Sequence, residues 1–279
     1  GPVTVALPPP ASAFHSTVRA TALDVDTLPD GSYFVLGEYL GGARFAPGTP
    51  QEQVLAGSDK PRPYVARYSP AHELQWVREV ARETNGNPGH NALARGLVAL
   101  DDGGCAIHIG LIGQVQIFPG TQSFLGLSVG PDAAPFLALI EPDGEPRLAR
   151  SIINETSSPP DDLTKVRMAY QPPHRLYFTG EFLTVAAFTL DAGPTFLSAE
   201  HGGLFVEAID ATDGELVFAR RIATADDGGS RLSDPRIHAN AEGIWIAASF
   251  EGSVTLDPDG AAPSKIERIG FGTDLMLAR

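Results

Sequence analysis

The segment Phe205–Ile222 reads FVEAIDATDGELVFARRI, in which two runs of alternating apolar residues flank the turn Thr212–Glu215. Alternation with a period of two around an Asp-Gly turn is typical of a β-hairpin. The same pattern occurs earlier at Phe136–Ile152 (FLALIEPDGEPRLARSI) and at Tyr64–Val80 (YVARYSPAHELQWVREV), and a further copy begins at Leu275 (LMLAR). The hairpin is therefore one part of an internal repeat.

Two independent marks fix the period of this repeat. The first is the small residue that ends the second strand of each copy, with spacings of 73, 70 and 69 residues: Gly37, Gly110, Gly180 and Ser249. The second is the residue that opens the third strand, with spacings of 72, 69 and 70 residues: Tyr64, Phe136, Phe205 and Leu275. Both marks indicate a period of about 70 residues, longer than the ~40–50 residues of common propeller blades.

Each repeat has room for four antiparallel strands joined by hairpins. One such sheet cannot cover both of its faces, so the copies must stack on one another. Four-stranded antiparallel sheets arranged radially are the blades of a β-propeller. We therefore predict an all-β, four-bladed propeller in one domain, residues 1–279, with repeats 1 to 4 at about residues 18–81, 93–153, 163–223 and 234–279.

The fourth repeat stops before its outer strand. The segment Val3–Leu7 (VTVAL) is a short strand-like run ahead of the first inner strand. We expect it to supply the missing strand of repeat 4, so that the ring closes and an exposed sheet edge is removed. The surplus length of each repeat lies between its second and third strands, where we expect a projecting hairpin or a long loop.

Charge and composition restrict the partners of the chain. The 279 residues carry a net charge of −14 and the pI is about 4.8, so no basic footprint for nucleic acid or an anionic membrane is expected. No apolar run approaches the ~18 residues of a membrane span. The one cysteine, Cys105, allows no intrachain disulfide, and we expect it to be a small buried side chain.

The second repeat carries four motifs, at Asp101–Gly110, Phe118–Gly120, Leu125–Asp132 and Phe136–Arg150. Together they resemble the bacterial β-propeller repeat family, and the resemblance covers nearly the whole chain. It implies a propeller that is exported and often surface-associated, and it brings no site residues with it. The opening Gly1-Pro2 is typical of the residues that a tag-cleaving protease leaves. We therefore expect a signal or anchor segment to have been removed.

A second resemblance is carried by the sequence AIDATDGELVF at 208–218. It is similar to quinoprotein-type propeller repeats, which would imply a quinone-dependent dehydrogenase. That family usually places a tryptophan after the D-G-E-L turn. The corresponding residues in the first three repeats are Trp76, Leu148 and Phe218, so one repeat of the three keeps it.

Each predicted inner strand carries an arginine near its start. Inner strands line the central channel of a propeller, and four guanidiniums near one end of it would form an anion-binding site. The alternative is that these arginines face neighbouring loops and pair with acidic residues there. The candidate residues are Arg19, Arg95, Arg167 and Arg236.

Asp24, Asp26 and Asp30 form the pattern D-x-D-x-x-x-D-G around a turn. Carboxylates at alternate positions can bind calcium. The spacing differs from the twelve-residue calcium loop and lacks its terminal glutamate, so a solvated turn is the alternative. Calcium is the one cofactor for which the sequence offers candidate ligands.

Three functions fit these features. The leading hypothesis is a non-enzymatic, exported binding or scaffold domain whose loops or channel recognise a protein or a small anionic ligand. The second is an enzyme, a hydrolase, lyase or quinone-dependent enzyme, with acid and base groups at one mouth of the channel. The third is a structural subunit whose projecting hairpins mediate assembly. The oligomeric state is left open.

Overall fold

The computed structural model describes residues 19–57, 59–83, 91–120, 127–128, 134–152, 155–156, 166–190, 193–267 and 274–278. Within these ranges the chain forms antiparallel strands joined by turns, and it forms no helix there. Consequently none of the described segments is a helix that could span a membrane. The predicted all-β class is confirmed. The predicted closing strand Val3–Leu7 lies outside the described residues.

Repeat 1 forms a four-stranded antiparallel meander and a small hairpin. The meander has the strand order β1-β2-β5-β6, and the hairpin pairs β3 with β4. A short strand, β7, follows the outer strand of the meander. The bounds are β1 (Arg19–Thr27), β2 (Tyr33–Leu40), β3 (Ala43–Phe45), β4 (Gln53–Leu55), β5 (Arg62–Tyr68), β6 (Leu74–Glu79) and β7 (Ala81–Glu83).

Repeat 2 has the same organisation. Its meander has the order β8-β9-β12-β13, with β10 and β11 as the inserted hairpin and β14 after the outer strand. The bounds are β8 (Asn91–Ala99), β9 (Cys105–Ile112), β10 (Gln114–Ile117), β11 (Leu127–Ser128), β12 (Ala134–Ile140), β13 (Pro146–Ser151) and β14 (Glu155–Thr156).

Repeat 3 has the meander β15-β16-β19-β20 and the hairpin β17-β18. Repeat 4 has three described meander strands, in the order β21-β22-β25, and the hairpin β23-β24. The bounds are β15 (Arg167–Gln171), β16 (Arg175–Phe182), β17 (Val185–Leu190), β18 (Gly193–Ser198), β19 (Gly203–Asp210), β20 (Leu216–Ala225), β21 (Arg231–Asn240), β22 (Gly243–Glu251), β23 (Ser253–Leu256), β24 (Ser264–Glu267) and β25 (Asp274–Ala278).

The inserted hairpin of a repeat is hydrogen-bonded to the repeat before it. In repeat 2, β10 pairs with β7, and in repeat 3, β17 pairs with β14. In repeat 4, β23 pairs with the end of β20, which extends the third sheet to six strands. Among the described residues, the β3-β4 hairpin of repeat 1 has no such third strand. The expected projecting hairpins are thus present, and they join consecutive repeats.

The hydrophobic core lies between consecutive sheets. Because strand side chains alternate between two faces, the sheets of repeats 2 and 3 each bury one face against the repeat before and the other against the repeat after. On β9, Cys105, Ile107 and Ile109 pack toward repeat 1, whereas Ala106 packs toward repeat 3. A third cluster joins repeats 3 and 4. Cys105 is fully buried, as predicted.

Candidate anion-binding site

The two sequence marks of the repeat are cross-strand partners. Gly37 lies opposite Tyr64, and Gly180 lies opposite Phe205. A Cβ atom added to either glycine would lie 2.7 Å from the ring of its partner, so the missing side chain makes room for the aromatic ring. This packing explains why a small residue and a large one recur together.

Repeat 2 departs from this packing. Its third strand is displaced by one residue, so that Gly110 lies opposite Pro135 and Phe136 lies opposite Ile109. The side chain beside Gly110 is instead that of Arg95, whose Nε lies 3.6 Å from the position of an added Cβ. A charged group therefore occupies the space that an aromatic ring fills in repeats 1 and 3.

A β-bulge places Arg95 on this face. The register of β8 against β9 shifts between Ala94 and Gly96, which leaves Arg95 as the extra residue. The N–H of Ala94 donates to Glu38 Oε1 at 2.9 Å, from repeat 1. Bulges are known to redirect side chains next to functional sites. Glu38 thus fixes the local backbone that orients Arg95.

Repeat 4 has a β-bulge directly before its own arginine, and Arg236 itself pairs with Ala247. The register of β21 shifts between Ser233 and Arg236, and Asp234 has a φ of 50°. The N–H of Asp234 donates to Glu181 Oε1 of repeat 3 at 2.8 Å. Glu38 and Glu181 each directly follow the small residue of their repeat, so one sequence position anchors both bulges.

Three of the four predicted arginines interact electrostatically. Burial lowers the pKa of Arg95. Burial also lowers the pKa of Arg167, and the positive charges of Arg236 and Arg95 lower it further, while the carboxylates of Asp234 and Glu181 oppose the shift in part. The three arginines lie on β8, β15 and β21, the inner strands of repeats 2, 3 and 4, which contact one another in that order. Like charges brought together without a salt bridge favour a bound anion.

The three guanidiniums have few hydrogen bonds within the protein. Arg167 Nη1 donates to the carbonyl of Val166, and Arg236 Nη1 donates to that of Pro235, both at 3.2 Å. Arg95 Nε is buried and has no partner. In the described part of the chain, no carboxylate lies within 4.0 Å of these three guanidiniums.

Arg19 occupies a different level of its strand. It is exposed and lies opposite Leu40, at the start of β1. The residue at the bulge of β1 is Leu23, which is 52% exposed. Repeat 1 therefore presents a leucine near the level at which the other repeats present arginines. Unequal offsets of the four arginines from the small residue are the sequence signal for this difference.

His108 lies directly behind the arginines, and sequence reasoning did not select it. It is 1% exposed, and neither ring nitrogen has a hydrogen-bond partner. Burial lowers the pKa of His108 to about 3, with further contributions from the charges of Arg95 and Arg167. Its ring contacts Phe178 edge-on, at 6.3 Å between centroids. The available signal was a polar residue at an inward-facing position of an otherwise apolar strand, CAIHIG.

The calcium candidates make protein hydrogen bonds. Asp24 Oδ2 accepts from the N–H of Leu97, and Asp26 Oδ2 accepts from that of Ala99, both at 2.8 Å on β8. Asp30 accepts from the backbone and side chain of Ser32. Burial raises the pKa of Asp24. No three acidic, histidine or cysteine side chains of the described residues form a metal-ligand group, and calcium binding stays a prediction.

A second concave region lies at the outer rim, between the β3-β4 hairpin and repeat 2. Its volume is about 440 Å³, and its lining includes Leu55, Arg78, Glu79, Phe118 and Gly144. The guanidinium of Arg78 is engaged there with the backbone of Gly144 and with Glu145. Arg95, Arg167 and Arg236 lie elsewhere, on the inner strands of repeats 2 to 4, and His108 lies on β9 beside them.

Comparison with known proteins yields structural neighbours only. No family model matches the chain, and no curated protein matches it. Similar solved structures include a subtype N11 neuraminidase-like protein of A/flat-faced bat/Peru/033/2010 (H18N11), with 10% identity, 94% of this chain and 88% of that chain covered, and a TM-score of 0.31. BamB from Moraxella catarrhalis is 10% identical, with coverages of 91% and 92% and a TM-score of 0.22. Both TM-scores are below 0.5, and neither protein supplies a site or an activity for this chain.

Proposed function

We propose that the chain is a four-bladed propeller that binds a small anionic ligand at the centre of its ring, and that it is a binding domain without catalytic activity. One observation carries the proposal: three successive inner strands present Arg95, Arg167 and Arg236, Arg167 is repelled by the other two, and among the described residues none of the three forms a salt bridge with a carboxylate. Guanidinium groups bind carboxylate and phosphate oxygens with paired hydrogen bonds. A bound anion would reduce the repulsion among the arginines and would accept a hydrogen bond from Arg95 Nε.

Closure of the ring by Val3–Leu7 is part of this proposal. Phe118 and Asp257 each precede a proline at a φ near 50°. Their N–H groups donate to the carbonyls of Val80, directly after the outer strand of repeat 1, and Ile222, in the outer strand of repeat 3. Ala46 has the same conformation in repeat 1, with a φ of 50°. By analogy it requires an acceptor in an outer strand of repeat 4. The segment Val3–Leu7 is the candidate for that strand.

Calorimetric titration tests the anion site. Sulfate, phosphate and succinate would be titrated at constant ionic strength into the wild type and into Arg95→Gln, Arg167→Gln and Arg236→Gln. We expect at least one anion to bind, and each substitution to weaken binding about tenfold or more, because a charge-assisted hydrogen bond is lost. Arg44→Gln is the matched control, since Arg44 is an exposed arginine on β3 paired with Glu52.

Two results would decide against this site. Equal loss of affinity in the Arg44→Gln control would mean that the total charge, and not a built site, attracts the anion. No binding of any of the three anions to the wild type would overturn the proposal. Arg19→Gln distinguishes two versions of the site. It weakens anion binding if four arginines form the site and leaves binding unchanged if only the three favoured by the strand register do.

Hydrogen exchange tests the closure. A variant that lacks residues 1–10 would be compared with the full chain, with exchange followed at 274–278 in β25. If the N-terminal strand pairs with β25, its removal exposes the N–H groups on that edge and their exchange accelerates. Exchange that is unchanged at β25 would refute the proposed closure.

The proposed export rests on the resemblance to the bacterial β-propeller repeat family. Fractionation of cells that express the complete gene would test it, with the protein expected outside the cytoplasm. Recovery in the cytoplasmic fraction alone would contradict it.

A further inference from the structure

The space beside Gly96, the cross-strand partner of the buried His108, is open. His108 lies directly opposite Gly96 across β8 and β9, and directly opposed residues share one face of a sheet. A Cβ atom added to Gly96 would meet nothing within 4 Å. The imidazole is therefore covered on this side by a residue without a side chain, next to Arg95.

The unpaired groups differ in what they require. A guanidinium offers donors only, so the three arginines match the oxygens of an anion. A neutral imidazole offers one donor and one acceptor, and both nitrogens of His108 lack partners. A carboxylate oxygen can satisfy the donor nitrogen, but it cannot satisfy the acceptor nitrogen. A ligand that pairs with both kinds of group must carry a donor close to its charge.

We propose that the ligand is a hydroxycarboxylate, in which a hydroxyl group on the carbon next to the carboxylate hydrogen-bonds to His108 while the carboxylate is held by Arg95 and Arg167. This inference rests on the proposed anion site and specifies its ligand class. His108 faces no carboxylate that shifts its pKa, whereas Arg95 and Arg167 both lower it, so the ring stays neutral at pH 7 and keeps its acceptor. The unpaired imidazole is costly when the site is empty, which favours a ligand that satisfies it.

Paired ligands that differ by one hydroxyl test this assignment. Malate and succinate would be titrated calorimetrically at pH 7 and constant ionic strength. We expect malate to bind about tenfold more tightly or better, because a site built to hydrogen-bond a hydroxyl group discriminates against the analogue without it. His108→Phe should reduce the affinity for malate to that for succinate and leave succinate unchanged.

A second variant guards against misfolding of His108→Phe. Gly96→Val fills the open space beside the imidazole and suits a strand. We expect it to remove the preference for malate while succinate still binds. Equal affinities of the two acids in the wild type would overturn the hydroxyl assignment and leave the anion site standing. If neither acid binds, and sulfate and phosphate also fail, both proposals fall.

Discussion

Arg78 Nε donates a hydrogen bond of 3.1 Å to the carbonyl oxygen of Gly144, which lies in the hairpin turn of the next repeat. The same relationship recurs one repeat later, where Arg150 Nη1 donates to the carbonyl of Gly214. In repeat 3 the corresponding Arg220 lies over the ring of Phe218. Charged side chains on an outer strand commonly protect the edge of a sheet. Two of these arginines instead connect each outer strand to the repeat that follows.

Substitution of Gly144 should show how much this contact between consecutive repeats contributes to the free energy of unfolding. Gly144 has a φ of 87°, and an added Cβ would lie 2.8 Å from the ring of Trp76. We expect Gly144→Ala to lower the free energy of unfolding by about 2–3 kcal/mol, from backbone strain and the clash together. Gly48→Ala is the control, since Gly48 has a φ of 77° with nothing within 4 Å, and should cost about 1 kcal/mol. Equal losses in urea unfolding would show that the Trp76 contact contributes nothing.

His108 should make stability depend on pH in the acid range. Its pKa falls from 6.5 to about 3 on folding, so the unfolded chain binds a proton that the folded chain excludes. This contribution is complete above pH 6.5 and is lost as the pH falls toward 3. Between pH 7 and 5, the wild type should lose about 2 kcal/mol relative to His108→Phe. If urea unfolding gives the same difference in stability between the two proteins at pH 7 and at pH 5, the imidazole is not buried in its neutral form.

Glu207 should have the opposite effect on the pH dependence of stability. It is fully buried, both carboxyl oxygens lack partners, and burial raises its pKa well above the ordinary value of 4.5. The folded chain therefore retains a proton that the unfolded chain releases, and stability falls as the pH rises above 4.5. Glu207→Gln should match the wild type near pH 4 and become progressively more stable than it toward pH 7. The exposed Glu73→Gln serves as the control and should show no such trend in thermal unfolding.

Asp26 distinguishes a structural carboxylate from a calcium ligand. Asp26→Ala leaves the N–H of Ala99 without its acceptor, which should cost about 1–2 kcal/mol. We expect this loss to be the same with calcium and with a chelator, as measured by thermal unfolding. Stabilisation of the wild type by calcium that disappears in Asp26→Ala would support the calcium hypothesis.

The sequence predicted the repeat because each copy carries one small residue and one large residue at nearly constant spacing. In repeats 1 and 3 a glycine faces a large ring across the strands, as Gly37 faces Tyr64, and the spacing of such residues is visible in the sequence. The bulges were not predictable in the same way. They change which residue of an inner strand is the extra one, so that Leu23, and not Arg19, lies near the level of Arg95. Arginine spacing alone therefore did not show which residues of the inner strands share a level.

The buried polar residues could not be assigned from the sequence either. His108 and Glu207 occupy inward positions of strands that otherwise carry apolar side chains, and a single polar residue there also fits a turn or a solvent-facing position. The pairing of each inserted hairpin with the preceding repeat could not be predicted from the sequence either. It joins short strands such as β7 and β10, whose contacts depend on how two sheets stack.

These pairings give assembly on the ribosome a direction. The hairpin of each later repeat finds its partner strand in the repeat before it, as β23 finds the end of β20. That partner has already left the ribosome when the hairpin emerges, because synthesis proceeds from the N-terminus at about 5–20 residues per second. Each new sheet can therefore dock on a finished template, and an exposed edge on a nascent chain lasts for roughly the time needed to synthesise one repeat.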